Sequence, residues 1–126
     1  ALREAWEEVA LVPGKVEVLG LSDAYETGTG YLVTPVVGWL GDMPTLAPSP
    51  DEVAEVFVVP WKVLMDPVQL RREHLETPGG VRRWFWSLTH EERVIWGATA
   101  GIIRALRHRL YGDRDDLSIA AVEDAA

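Results

Sequence analysis

Glu4, Glu7 and Glu8 are the residues of this chain best spaced to do chemistry, standing at i, i+3 and i+4. On a helix that spacing sets three carboxylates on nearly one face. Like charges so arranged destabilise an isolated helix. Solvent and salt, a neighbouring arginine, or a bound divalent cation must offset the repulsion. Carboxylate oxygens suit Mg2+ or Mn2+, which bind a few of them together with substrate phosphates and retain some water. A solvated acidic helix face is the plain alternative, and spacing by itself leaves both open.

Other reactive groups are scarce. The chain has no cysteine, which removes disulfides, thiolate zinc sites and cysteine nucleophiles and fits a reducing compartment. His74, His90 and His108 show no metal-ligand spacing and read as surface residues. Pro78-Gly79-Gly80 belongs to a hairpin turn and not to a phosphate-binding loop, since no Lys-Ser/Thr or helix start follows it. Arg82 and Arg83 beside Trp84, Phe85 and Trp86 allow two readings. The rings stack an adenine while the arginines hold a phosphate. Alternatively Trp84 and Trp86, which share one face of an alternating strand, serve the core or a subunit interface such as that of a homodimer. Trp39 and Trp96 read as core.

The 126 residues have the length of one domain, and 48% hydrophobic with 25% charged side chains is a globular composition. No apolar run approaches the roughly 20 residues of a membrane span, so no membrane partner is expected and the cytoplasm is the expected location. A net charge of −8 argues against general nucleic-acid binding, which needs a basic face. The charge is uneven: −7 over residues 1–65, +3 over 66–112 and −4 over 113–126. That distribution fits a cation site near an anionic ligand, and it fits ordinary solvated surface as well.

Around the carboxylates, Leu2, Ala5, Val9 and Trp6 recur at helical spacing, and Pro13-Gly14 should stop that helix near residues 11–12. Residues 15–22 read as a short strand, 23–30 as a loop, and 31–40 as a buried strand in which Pro35 marks an edge, bulge or bend. Three prolines make 41–50 a loop. Residues 51–54 read as a turn, 55–59 as a strand, and 61–65 as a short helix opened by Pro60 and stopped by Asp66-Pro67. A polar stretch, 68–76, leads to the turn at 77–80 and a strand at 81–88, with 89–92 as a connection. Residues 95–110 read as the strongest helix, with Ile95, Ala98/Thr99, Ile102, Leu106 and Leu110 as its apolar stripe. Positive charge gathers at its C-terminal end, where Gly112 caps it.

Arg3-Glu4-Ala5-Trp6-Glu7-Glu8-Val9-Ala10-Leu11 resembles the second half of the Nudix box. That pattern is Arg-Glu, an aliphatic, any residue, Glu-Glu, any residue, Gly, and an aliphatic. The chain departs from it at Ala5, where a larger aliphatic is usual, and at Ala10, where Gly is expected. The opening Gly and first Glu of the box would lie before Ala1, as would the strands that precede it. Gly30 to Gly38, Asp51 to Pro60, and Ile95-Trp96-Gly97-Ala98-Thr99-Ala100 are similar to the coenzyme A pyrophosphatase branch of that family.

The resemblance implies an α/β fold, the Nudix α/β/α sandwich with a mixed sheet, whose N-terminal strands are absent from this chain. Residues 1–112 would form a partial Nudix domain beginning inside the box helix, and 113–126 an acidic, mobile tail. It implies an enzyme that uses Mg2+ or Mn2+ to cut coenzyme A or a derivative to 3′,5′-ADP and (acyl-)4′-phosphopantetheine. ADP-ribose or NADH is the alternative substrate, and a catalytically silent fragment or nucleotide-binding module is the alternative class. By carry-over, Glu4, Glu7 and Glu8 are metal ligands, Glu4 and Glu52 are the catalytic residues, Glu52 as general base or as a further ligand, and Arg3 supports the glutamates as an ion-pair partner. Glu55 competes with Glu52. Thr29, Gly30 and Tyr31 would line the substrate groove, a turn requirement explaining Gly30 equally well.

Overall fold

A computed structural model of the chain describes residues 1–112; the acidic stretch 113–126, with its expected mobility, lies outside the described residues. Helices and antiparallel sheets alternate along the chain, in keeping with an α/β class. Two compact units divide them, one of residues 1–22 with 34–58 and one of residues 23–33 with the chain from 59 onward.

The first unit opens with α1 (Leu2–Val9), whose Leu2, Ala5 and Val9 are half-buried while Trp6 is exposed. The helix stops two residues earlier than the Pro-Gly signal implies. Ala10 turns left-handed, with φ 59° and ψ 32°, and its N–H donates back into the last turn. After a 3-10 turn at Pro13–Lys15, β1 (Glu17–Leu21) pairs antiparallel with β4 (Val36–Trp39).

The buried strand expected over 31–40 is two exposed strands in two different sheets. β3 (Leu32–Val33) ends before Pro35, and β4 begins after it. Proline has no N–H for a ladder, so pairing breaks there, although its carbonyl still accepts from the Ser22 N–H at 2.9 Å. Residues 55–59, expected as a strand, join no ladder among the described residues. β-branched composition yields a strand only where a neighbour offers unpaired backbone groups.

In the second unit β2 (Tyr25–Glu26) and β3 form a small hairpin. α2 (Trp61–Met65) follows Pro60 as expected. The polar stretch is itself β5 (Leu70–Glu76), antiparallel to β6 (Arg82–His90), and β7 (Arg93–Trp96) completes a three-stranded sheet. α3 (Gly97–Tyr111) follows without a loop. Ile95 therefore lies in a strand and not on the helix. The corner is Gly97, whose φ of +66° a side-chain-bearing residue resists.

The core sits in this unit. Met65 and Tyr111 pack with Trp61, Leu64, Ile103 and Leu106, and Leu88 and Ala100 are fully buried. The buried line of α3 runs through Ala100, Gly101, Arg107 and Tyr111, while Leu110 and Thr99 of the expected stripe are exposed. Arg107, one of the positive charges at the C-terminal end of the helix, is buried because its polar atoms are matched: Nε donates to the Met65 carbonyl at 2.7 Å and Nη1 to the Gly112 carbonyl at 3.2 Å. The first of these satisfies a carbonyl left unpaired at the end of α2. Trp61 Nε1 donates to the Tyr111 hydroxyl at 2.9 Å, a second polar tie between α2 and α3.

Candidate active site

Glu4, Glu7 and Glu8 are all exposed on α1. Arg3 Nε stands 3.9 Å from Glu7 Oε1, and the amino group of Ala1 stands 4.0 Å from Glu4 Oε1. Both pairs are solvent-exposed and hold their partners loosely. Arg3 thus meets the cluster through Glu7.

A helix end leaves its last carbonyls without intrahelical partners. Here the proline-rich loop supplies them: the Ala47 N–H donates to the Val9 carbonyl at 2.9 Å, and the Ser49 N–H to the Glu8 carbonyl at 2.7 Å. Pro48 and Pro50 favour extended backbone about Ser49, so alternate N–H groups face the helix. The chain then turns, with Glu52 N–H donating to the Ser49 carbonyl at 3.1 Å and Val53 N–H to the same oxygen at 2.8 Å. Two successive hydrogen bonds therefore connect the Glu52 backbone to Glu8. Within the loop expected over 41–50, the alternating prolines of Ala47-Pro48-Ser49-Pro50 are the sequence signal for this extended, helix-capping backbone.

Thr29, Gly30 and Tyr31 lie in the other unit, at the turn between β2 and β3. The Thr27 N–H donates to the Tyr31 carbonyl at 2.8 Å, the Gly30 N–H to the Thr27 carbonyl at 3.0 Å, and the Tyr31 N–H to Thr27 Oγ1 at 3.1 Å. Gly30 has φ +88°, which the turn requires of it. Thr77–Val81 repeats the pattern at the β5–β6 turn, with bonds of 2.9 and 2.8 Å between the equivalent backbone groups and φ +77° at Gly80.

Among the described residues no group of three or more His, Asp or Glu side chains is gathered closely enough to hold a metal ion. The chemistry of the donor set on α1 nevertheless suits Mg2+ or Mn2+: three hard oxygen donors, exposed, on one helix face.

No family model matches the chain. Curated relatives do. Over 110 residues, 84% of this chain, it is 46% identical to a protein of Escherichia coli O1:K1 / APEC described as an uncharacterized Nudix hydrolase, NudL. The same identity and span hold for NudL of Escherichia coli strain K12 / DH10B and of Shigella boydii serotype 18. The chain belongs to the Nudix hydrolase family. It spans about half the length of these relatives, 55% of each. The Arg3-Glu4 and Glu7-Glu8 pairs, which resemble those of the Nudix box, lie on α1. Ala10, where the resembling pattern expects Gly, is the residue found in the left-handed conformation.

The tryptophans depart from expectation. Trp39 and Trp96, read as core, are exposed, and so is half of Trp84. The cations beside the β6 rings are not Arg82 and Arg83. Arg82 faces Glu76 at 3.8 Å, while Arg72 and Arg104 lie over the rings of Trp84 and Trp86.

Proposed function

We propose that this chain contributes the metal-binding helix of a pyrophosphohydrolase that cuts coenzyme A or its derivatives to 3′,5′-ADP and (acyl-)4′-phosphopantetheine. The carrying observation is the exposed Glu4-Glu7-Glu8 face of α1, set in a Nudix box and tied at its end to the loop bearing Glu52. Residues 1–112 are proposed to belong to one Nudix domain with the family's α/β/α sandwich. Its setting is proposed to be the cytoplasm, in keeping with the absence of cysteine.

Glu4, Glu7 and Glu8 would hold Mg2+ or Mn2+, and the metal supplies charge neutralisation at the pyrophosphate and activation of water. Arg3, near Glu7 Oε1, restrains that carboxylate and tempers the repulsion along the helix face. Glu4, at the helix start, is proposed as both metal ligand and catalytic residue. Glu52 is proposed to accept the proton of the attacking water; its backbone tie to Glu8 favours it over Glu55. Thr29, Gly30 and Tyr31 are proposed to line the substrate groove through their exposed turn.

Mass spectrometry of the whole protein incubated with coenzyme A and Mg2+ or Mn2+ tests the reading. 3′,5′-ADP and phosphopantetheine should form only with metal. Products from ADP-ribose or NADH instead would change the substrate, and no product from any of them would leave a silent nucleotide-binding module.

A further inference from the structure

The face of the β5–β6 sheet that bears Trp84 and Trp86 also bears Arg72 and His74, and the acidic residue of that face, Glu76, is taken up by Arg82 at 3.8 Å. In the ladder Arg72 stands opposite Trp86 and His74 opposite Trp84. The Arg72 guanidinium carbon lies 5.4 Å from the Trp84 ring centroid and 5.5 Å from that of Trp86, and the Arg104 guanidinium lies 4.4 Å from Trp86. His74 packs on Trp84 with ring centroids 4.7 Å apart. Arg72 and Arg104 are exposed, and neither makes a hydrogen bond or ion pair to a described residue. A guanidinium held over an indole by its face keeps its edge N–H groups available for a planar, multidentate acceptor. Phosphate is the acceptor that fits two such groups. The half-exposed Trp84 ring beside them offers a surface on which a base can stack.

We propose that Arg72 and Arg104, with Trp84 and Trp86, form a binding surface for the phosphorylated purine end of a nucleotide, the arginines taking a phosphate monoester and Trp84 the base. This deepens the coenzyme A reading and rests on it for the choice of adenosine.

The test compares adenosine 3′,5′-bisphosphate with adenosine 5′-phosphate, titrated without metal into the whole protein and followed by tryptophan fluorescence and calorimetry. The bisphosphate should bind at least about tenfold more tightly. Arg72→Gln or Arg104→Gln should abolish the preference, and Trp84→Leu should weaken both ligands alike. Equal binding of the two nucleotides overturns the proposal, as does a preference intact in both arginine variants. Should one variant fail to fold, the other and the ligand comparison on the unaltered protein still decide. Turnover separates this proposal from the one on which it rests. Coenzyme A and dephospho-coenzyme A cut equally well would remove the surface and leave the activity standing. Arginine-dependent bisphosphate binding without cleavage of either would do the reverse.

Discussion

Ala10 holds a left-handed backbone at the end of α1, where its Cβ crowds the following carbonyl. A Gly there relieves the crowding, partly offset by the greater freedom of Gly in the unfolded chain. Ala10→Gly should therefore stabilise the protein by about 1 kcal/mol, read as a higher urea midpoint at unchanged slope. Glu7 and Glu8 stand on the exposed face of the same helix. Neither is buried or packed, so Glu7→Gln and Glu8→Gln should leave the fold intact. Each should lower metal-dependent turnover at least about a hundredfold if the carboxylates hold the cation. Circular dichroism and product formation measured together check this, and unchanged turnover removes the residue from the site.

Among the elements, the β6–β7 hairpin shows how a strand is missed. Its two-residue turn is Glu91-Glu92 with φ of 48° and 68°, a conformation for which Asn-Gly is the preferred sequence. Without that signal the sequence does not announce the turn or β7, and the helical pattern begins at residue 95 instead of at Gly97. Replacing the pair by Asn-Gly should stabilise the hairpin by about 1 kcal/mol, with the thermal midpoint as readout. β5 was missed for another reason. Its residues are exposed on both faces and show no apolar alternation. Cross-strand pairs hold it instead: Glu76 with Arg82, His74 with Trp84, and Arg72 with Trp86. Those pairs exist only once β6 lies alongside. α3 carries a comparable lesson at Gly101, where an added Cβ would run into the Tyr25 ring, so the small residue marks a close approach that periodicity does not register.

At the scale of the whole molecule, burial is concentrated in the second unit. Ser22 is the one buried residue of the first unit, whereas Met65, Leu88, Ala100, Arg107 and Tyr111 are buried in the second. Regions with little buried apolar surface open more readily. Hydrogen exchange of the 126-residue chain should find the amides of β1 and β4 exchanging faster than those of β6 and α3. Comparable protection in the two units would show that burial does not set their local stability. No helix among the described residues is long and apolar enough to cross a membrane.

The local patterns were legible because their causes are local. The i, i+3, i+4 carboxylates define a helix face whatever surrounds it, Pro60 and Asp66-Pro67 bound α2, and Gly112 ends α3, with its N–H on the His108 carbonyl at 2.7 Å. The box resemblance required only order and identity along one stretch. The tertiary structure decided matters of partnership. It bound Ser49 to Glu8 and so drew the Glu52 turn to the end of α1, buried Arg107 by giving its guanidinium two carbonyls, and set Arg72 and Arg104, not Arg82 and Arg83, over the tryptophans. Each depends on residues distant in sequence, whose approach is fixed by packing and by the matching of unpaired backbone groups. A single residue's type carries no record of which distant group will meet it.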